Sequence, residues 1–428
     1  MRKLLLTFLI LLSTITGNTQ QFKIDADYRA RAEYSNGFGT LISSGTDFGL
    51  FVEQRARLGF GYSDNYITSS LSFQDVSVWG DKPQITSKDI NRSLSLAEAW
   101  VNVHISKHWS TKVGRQTIAY DDERIFGGLD WAMQGRFHDA LLLNYKKANY
   151  KLVMGFAFNQ NAVSRENTLF DPNNSADARA VFDYKSMAYL WVHKDWNTIS
   201  TSFLFLNNTY QNIQGETPVK GNINRQTFGT HVEANSDKAL KFLFNFYAQT
   251  GEFSKGIALN AYNSSLEIQY KPKSTLLSIG YEVLSGDNTA NNEITSFFPV
   301  FGTNHKFNGF MDYFYVGNHA NNIGLRDLYA KAIFVTGKKS KLLTKVHYFS
   351  GDKSIDNEYY LGTELDIVFT QKITPYASVK VGYSQMFASE TMEKLKNVSS
   401  PNSIQNWGWL MLVVKPNLLN WKKNKEII

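Results

Sequence analysis

Between Phe22 and Tyr34 the chain changes character at every step. Phe22, Ile24, Ala26, Tyr28, Ala30, Ala32 and Tyr34 fill the even positions, while Lys23, Asp25, Asp27, Arg29, Arg31 and Glu33 fill the odd ones. Successive side chains of a strand point to opposite faces, so this is one strand with a wholly apolar face and a wholly charged one. Strands of soluble sandwiches alternate too, but an unbroken row of ionisable side chains opposite an unbroken apolar row suits lipid on one side and water on the other.

The pattern returns along the chain. Phe48, Leu50, Val52, Ala56, Leu58, Phe60 and Tyr62 oppose Glu53, Arg55 and Arg57; Ala97, Ala99, Val101, Val103 and Ile105 oppose Glu98, Trp100, Asn102 and His104. Phe242, Phe244, Phe246 and Ala248 oppose Asn245, Tyr247 and Gln249; Leu361, Thr363, Leu365 and Ile367 oppose Gly362, Glu364 and Asp366; the run Trp407, Trp409, Met411, Val413 alternates as well. Short Lys-rich turns alternate with long segments near 35–47, 79–93, 120–135, 160–185, 208–224, 251–260, 287–323, 351–357 and 389–404. Such asymmetry matches short periplasmic turns and longer outer loops, and counting between connections predicts a transmembrane antiparallel β-barrel of about 18 strands. The run Phe307–Tyr315 is assigned to the long loop, because counting it as a strand would break the alternation. Trp109, Tyr145, Tyr150, Trp196, Tyr270 and Tyr376 flank the short turns, as an interfacial aromatic girdle does.

Composition agrees. Aromatics make up 14 % of 428 residues, yet mean hydropathy is −0.31, far too polar for a bundle of membrane helices. Arg2 and Lys3 followed by Leu4–Leu12 read as an export signal over 1–19, its apolar run shorter than the roughly 20 residues that span a bilayer. The expected location is the outer membrane of a diderm bacterium, with membrane lipid and lipopolysaccharide as neighbours. Cysteine is absent, which excludes disulfides, a lipidated cysteine and thiolate metal sites. No cofactor, metal or nucleic-acid partner is expected. The first strand starts at Phe22, leaving no room before it for the plug of an energy-coupled receptor. The barrel is expected from Gln20 to Lys415, with a basic tail over 416–428 that either lies free or extends the last strand through Trp421.

The chain also resembles the alginate-export outer-membrane porins. The matching residues are Val113–Gly114–Arg115–Gln116, Tyr120–Asp121–Asp122–Glu123–Arg124, Trp131, Arg136–Phe137–His138–Asp139–Ala140–Leu141, Gln226–Thr227–Phe228–Gly229, Tyr281–Glu282–Val283–Leu284–Ser285–Gly286–Asp287, Gly302–Thr303–Asn304–His305 and Gly362–Thr363–Glu364–Leu365–Asp366. They run in the family's order through nearly the whole mature chain. The resemblance implies an 18-stranded barrel and a passive path for an anionic polysaccharide or a smaller anionic solute.

The candidate path residues are Arg29, Arg31, Arg55, Arg57, Glu53, Glu98, Arg115, Arg136, Asp139, Glu282, Glu364 and Asp366. Guanidinium groups pair bidentately with carboxylates, so arginines on adjacent strands suit a uronate. The competing reading pairs them with Asp25, Asp27, Glu33 and Glu53 as wall stiffeners. Alternation alone puts Arg115 and Asp139 on the lipid face, so a bulge turning Arg115 inward is expected, and Asp139 is expected near the outer rim. The loop with Asp121, Asp122, Glu123 and Arg124 is expected to fold into the mouth and narrow it. Asp171–Asp177 reads as turn-forming composition rather than a calcium loop. A membrane hydrolase would need a nucleophile motif beside His104, His138, His231 or His347, and none accompanies them.

Overall fold

The computed structural model describes residues 20–81, 94–166, 168–172, 184–236, 239–287, 292–314, 323–402 and 404–423. The segment 1–19, and the Asp171–Asp177 stretch from Asn173 on, lie outside them. In chain order the strands are β1 (Gln21–Asn36), β2 (Gly49–Ser63), β3 (Ile67–Val78), β4 (Ser95–His104), β5 (Trp109–Gln116), β6 (His138–Lys147), β7 (Tyr150–Phe158), β8 (Ser186–Asp195), β9 (Ile199–Gln214) and β10 (Thr217–Asn235). There follow β11 (Leu240–Ser254), β12 (Ile257–Tyr270), β13 (Thr275–Leu284), β14 (Glu293–Ile294), β15 (Leu325–Gly337), β16 (Ser340–Ile355), β17 (Glu358–Lys372), β18 (Ala377–Ala388), β19 (Gln405–Val414) and β20 (Asn417–Lys422).

Sequential strands pair antiparallel, and β1 closes the ring by pairing with β2 on one side and with β19 and β20 on the other. The two-residue β14 is a parallel bridge inside a loop. Strands β19 and β20 are two pieces of one wall strand broken at Lys415–Pro416, so the described residues form an 18-stranded closed barrel. Of the two readings for the C-terminus, the extended strand is found: Trp421 sits opposite Phe22.

The core is inverted relative to a soluble protein. Arg29, Arg31, Glu33 and Arg55 are buried, while Leu50, Leu58, Phe73, Phe205 and Phe244 are exposed. Charged side chains face the barrel interior, and apolar ones face outward where lipid replaces water. Near the short turns Trp109 and Tyr145 pack ring to ring at 4.8 Å, and Trp196, Tyr270 and Tyr376 are exposed beside the turns.

Three expected loops are strand instead. The segments near 208–224, 251–260 and 351–357 are tall hairpins closed by Gly215–Glu216, Lys255–Gly256 and Asp356–Asn357. Asp356 and Asn357 both take positive φ, the conformation that a two-residue hairpin turn requires and that Asp and Asn tolerate. Polar alternation above the membrane looked like loop composition, because nothing apolar is needed there. Leu361 is buried rather than outward, where the β16–β17 register shifts beside Gly362. The run from Phe307 to Phe314 lies within the long loop and contains no strand; Tyr315 is outside the described residues.

Candidate functional site

Two long connections fold into the barrel. The first, 117–137 between β5 and β6, carries Ile118, Ile125, Phe126 and Met133, all buried. The second, between β13 and β15, brings Phe301, Asn304, His305, Met311 and Tyr313 into the same interior. They join by backbone bonds from Phe301 N to the Ile125 carbonyl (3.0 Å), Gly127 N to the Phe301 carbonyl (2.9 Å) and Thr303 N to the Glu123 carbonyl (2.9 Å). Phe126 stacks on Phe301 at 5.4 Å. Apolar side chains in these loops have no lipid to face, so they are satisfied by packing on one another inside the polar barrel.

The first loop is a strap. One end reaches β1–β3. Arg29 donates through Nη1 to the Asp130 carbonyl and through Nη2 to its carboxylate at 2.9 Å. Arg55 donates to the same carboxylate at 3.3 Å, to Asp27 at 2.5 Å and to the Met133 carbonyl at 3.1 Å. Arg31 donates to Glu33 (2.5 Å), Glu53 (3.0 Å) and the Trp131 carbonyl (2.9 Å), and its guanidinium lies 4.1 Å from the Trp131 ring centroid. Gln74 on β3 donates to the Gln134 carbonyl at 3.0 Å. The Trp131 ring continues into a stack with His305 at 4.3 Å, and His305 with Phe310 at 5.3 Å.

The other end reaches β8–β13, which strand order places across the lumen from β1–β3. Asp121 accepts from Ser202 Oγ (2.5 Å) and Trp191 Nε1 (3.0 Å). Asp122 accepts from Asn245 (2.9 Å) and from Arg124 Nε (3.1 Å), and Arg124 also pairs with Glu282. Burial pushes the Asp121 carboxyl up, opposed by the Ser202 bond and by nearby His231. At Asp130, whose side chain is largely exposed, partial desolvation by the surrounding wall acts in the same direction but is outweighed by Arg29 and Arg55, which hold its carboxyl below the usual range. Asp121, Glu123 and Leu129 all have positive φ, strain of about 1–3 kcal/mol each that the anchors hold in place.

The expected inward loop is therefore present, and Asp121, Asp122 and Arg124 are its anchors. Glu123 contributes backbone contacts to Tyr120 and Thr303. Arg29, Arg31 and Arg55 do line the interior, and both the wall acids and the strap engage them. Arg57 donates to Gln74 at 2.6 Å and lies 5.5 Å from the Phe137 centroid. Glu98 accepts from Thr117 N at 3.5 Å. Glu282 also accepts from Asn263 (2.8 Å) and Asn308 (2.9 Å), and Glu364 accepts from Met311 N (2.8 Å). Asp366 accepts from Ser384 at 2.5 Å. These acids thus hold the second loop or the wall rather than standing free.

Arg115, Asp139 and Arg136 depart from expectation. No bulge turns Arg115 inward: it is opposite outward Ala99 and Asp139, continuing the outward row Val113–Leu141. Arg115 and Asp139 form a two-pronged ion pair at 3.0 and 2.7 Å on the outer face, at the ends of β5 and β6 next to the long connections. Mutual pairing near the rim relieves what a lone arginine facing mid-bilayer lipid would incur, about 2–4 kcal/mol. Arg136 donates to the Phe301 and Gly302 carbonyls and clips the two inward loops together.

The histidines are structural neighbours of the same interior or its rim. His347 pairs with Asp327 at 2.8 Å in a fully buried setting, His138 meets Tyr184 at 2.9 Å, His231 meets Asn245 at 2.8 Å, and exposed His104 meets Thr68 at 3.2 Å. Sequence reasoning missed Asp130, Trp131's stack and the inward Trp407 and Trp409. A period-two pattern cannot say which face is outside, and here the aromatic face of β19 packs the strap: Trp407 donates to Glu33 at 2.8 Å and Trp409 lies 5.1 Å from Trp131. The available clue was a long loop with several large apolar residues.

Known proteins agree with this architecture. A BenF-like porin from Pseudomonas fluorescens Pf-5 superposes with a TM-score of 0.61 at 11 % identity, covering 93 % of this chain and 99 % of that one. Pseudomonas aeruginosa OpdO gives 0.61 at 12 % identity, over 93 % and 98 %. Pseudomonas aeruginosa OccK8 (OprE) gives 0.60 at 10 % identity, over 93 % and 98 %. These likenesses establish a porin-like barrel fold. No curated protein matches the chain by sequence. The family model described as alginate export matches residues 20–406, and the chain therefore belongs to the alginate-export family of porin-like outer-membrane β-barrels.

Proposed function

We propose that this barrel is a passive channel of the alginate-export type, through which an anionic saccharide or a similar anionic solute diffuses. The observation that carries the reading is the cluster of cations on one side of the lumen wall. Arg29, Arg31, Arg55 and Arg57 on β1 and β2 are joined by Lys415, 3.1 Å from Asp27, and by Lys380, which shares a lumen-facing register with Met411 and Arg31. Guanidinium groups keep their charge at any working pH and present forked donors to carboxylates. A charged, low-dielectric passage concentrates counter-ions of the opposite sign.

A general porin is the second reading, supported by Asp27, Glu33, Glu53 and Asp130, which neutralise part of that cluster. The reversal potential of the refolded protein in a planar bilayer under a KCl gradient separates the two. Anion preference that falls when Arg29, Arg31, Arg55 and Arg57 are neutralised supports the anion path. Weak or cation preference in the unaltered protein favours the general porin.

A further inference from the structure

We propose that Asp130 is a tethered anion, occupying the Arg29–Arg55 pair in place of the solute's own carboxylate, and that a carboxylate-bearing solute displaces it and frees the Trp131 end of the strap. The inference rests on reading the barrel as an anion channel and adds a regulatory step to it.

Four observations converge. One carboxylate bridges two guanidinium groups, at 2.9 Å from Arg29 and 3.3 Å from Arg55. The arginine side chains are 5 % and 0 % exposed, whereas the Asp130 side chain is 66 % exposed. The carboxylate therefore presents an open face to the lumen, and a competitor can approach the pair from that side. Nε of Arg29 and Nε of Arg55 are buried without a partner. With Asp130 docked, each guanidinium thus keeps one donor unsatisfied, so the present pairing does not use the full hydrogen-bonding capacity of the two arginines. Finally, Leu129 at φ 50° holds a strained backbone immediately before Asp130, and leaving the site relaxes it.

The chemistry explains why release needs a ligand. Both terminal nitrogens of Arg29 are engaged by Asp130. Pulling Asp130 away alone would strand a buried guanidinium, which is strongly unfavourable. A replacing carboxylate keeps that charge paired, so the strap end exchanges one anion for another. The opposite end, around Arg124 and Glu282, is buried on both partners and stays anchored, so the strap swings rather than leaves.

Single-channel current of the full chain in planar bilayers tests this, with digalacturonate as probe and maltose as the neutral control. The unaltered protein is expected to step to a wider level with digalacturonate and not with maltose. Asp130→Asn is expected to sit at the wider level without probe and to lose the digalacturonate step, while Asp130→Glu retains it. No step in the unaltered protein, which needs no variant to fold, overturns the proposal; so does an Asp130→Asn channel that keeps the narrow level. The reversal potential in the same bilayers reports the channel reading separately. Anion preference without a digalacturonate step contradicts the tethered anion alone, and loss of anion preference contradicts both.

Discussion

The two ends of the strap hold the same loop by opposite means. At the Asp121–Arg124 end the partners are buried on both sides: Arg124 and Glu282 have side chains 8 % and 3 % exposed, and neutral donors from Ser202, Trp191 and Asn245 complete the set. At the Asp130 end buried arginines hold an open carboxylate. A buried charge pair loses much when one partner goes, since the other is left uncompensated, whereas an exposed partner can be exchanged for another anion that approaches from its open side. The difference marks one end as a fixed hinge and the other as an exchangeable latch.

The strongest way to break this contrast is at the hinge. Arg124→Ala leaves Glu282 without its cation, a loss of about 3–5 kcal/mol. Limited proteolysis should then cut within 117–137 while the barrel stays intact; a strap as protected as before would show that the hinge lies elsewhere. At the latch, Asp130→Asn removes a charge-assisted bond and should cost about 1.5–3 kcal/mol of docking. Hydrogen exchange by mass spectrometry should speed up across 129–135 and stay unchanged across 120–126. Equal acceleration in both segments would erase the distinction.

Acid should act on the latch in the same direction. The Asp130 carboxyl lies below its ordinary 3.8 when docked, so the latch is fully stabilised above that value and weakens as pH falls through the docked value. Exchange across 129–135 should rise in that range in the unaltered protein. Asp130→Asn isolates the Asp130 share, and an unchanged acid response in that variant would assign the effect to groups other than Asp130. The smallest effect belongs to the outer face. Replacing both Arg115 and Asp139 by Leu should leave refolding stability in lipid vesicles unchanged, and Asp139→Leu alone should lower it by at most about 1 kcal/mol near the interface.

Much of the wall was legible because its physics is local. That Arg29 and Tyr28 lie on opposite faces follows from period-two alternation, the unbroken charge of one face assigns it to water, and the strand count follows from turn spacing. The interior was not, because what fills a barrel is decided by contacts remote in sequence. Arg29 meets Asp130, and Trp407 meets Glu33, across stretches that no alternation connects. Arg115 shows the same limit from the other side. Its cross-strand partner Asp139 satisfies it where it stands, so the bulge expected from a lone charge is unnecessary.

The most direct test of the strapped lumen is single-channel conductance of the full chain beside a variant in which 119–134 is replaced by a short Gly-Ser link. A strap that crosses from β1–β3 to β8–β13 predicts a clear rise in conductance once it is removed, with the barrel still heat-modifiable on gels. Equal conductance in the two proteins would contradict it, since a loop whose removal leaves the current unchanged does not stand in the path of ions.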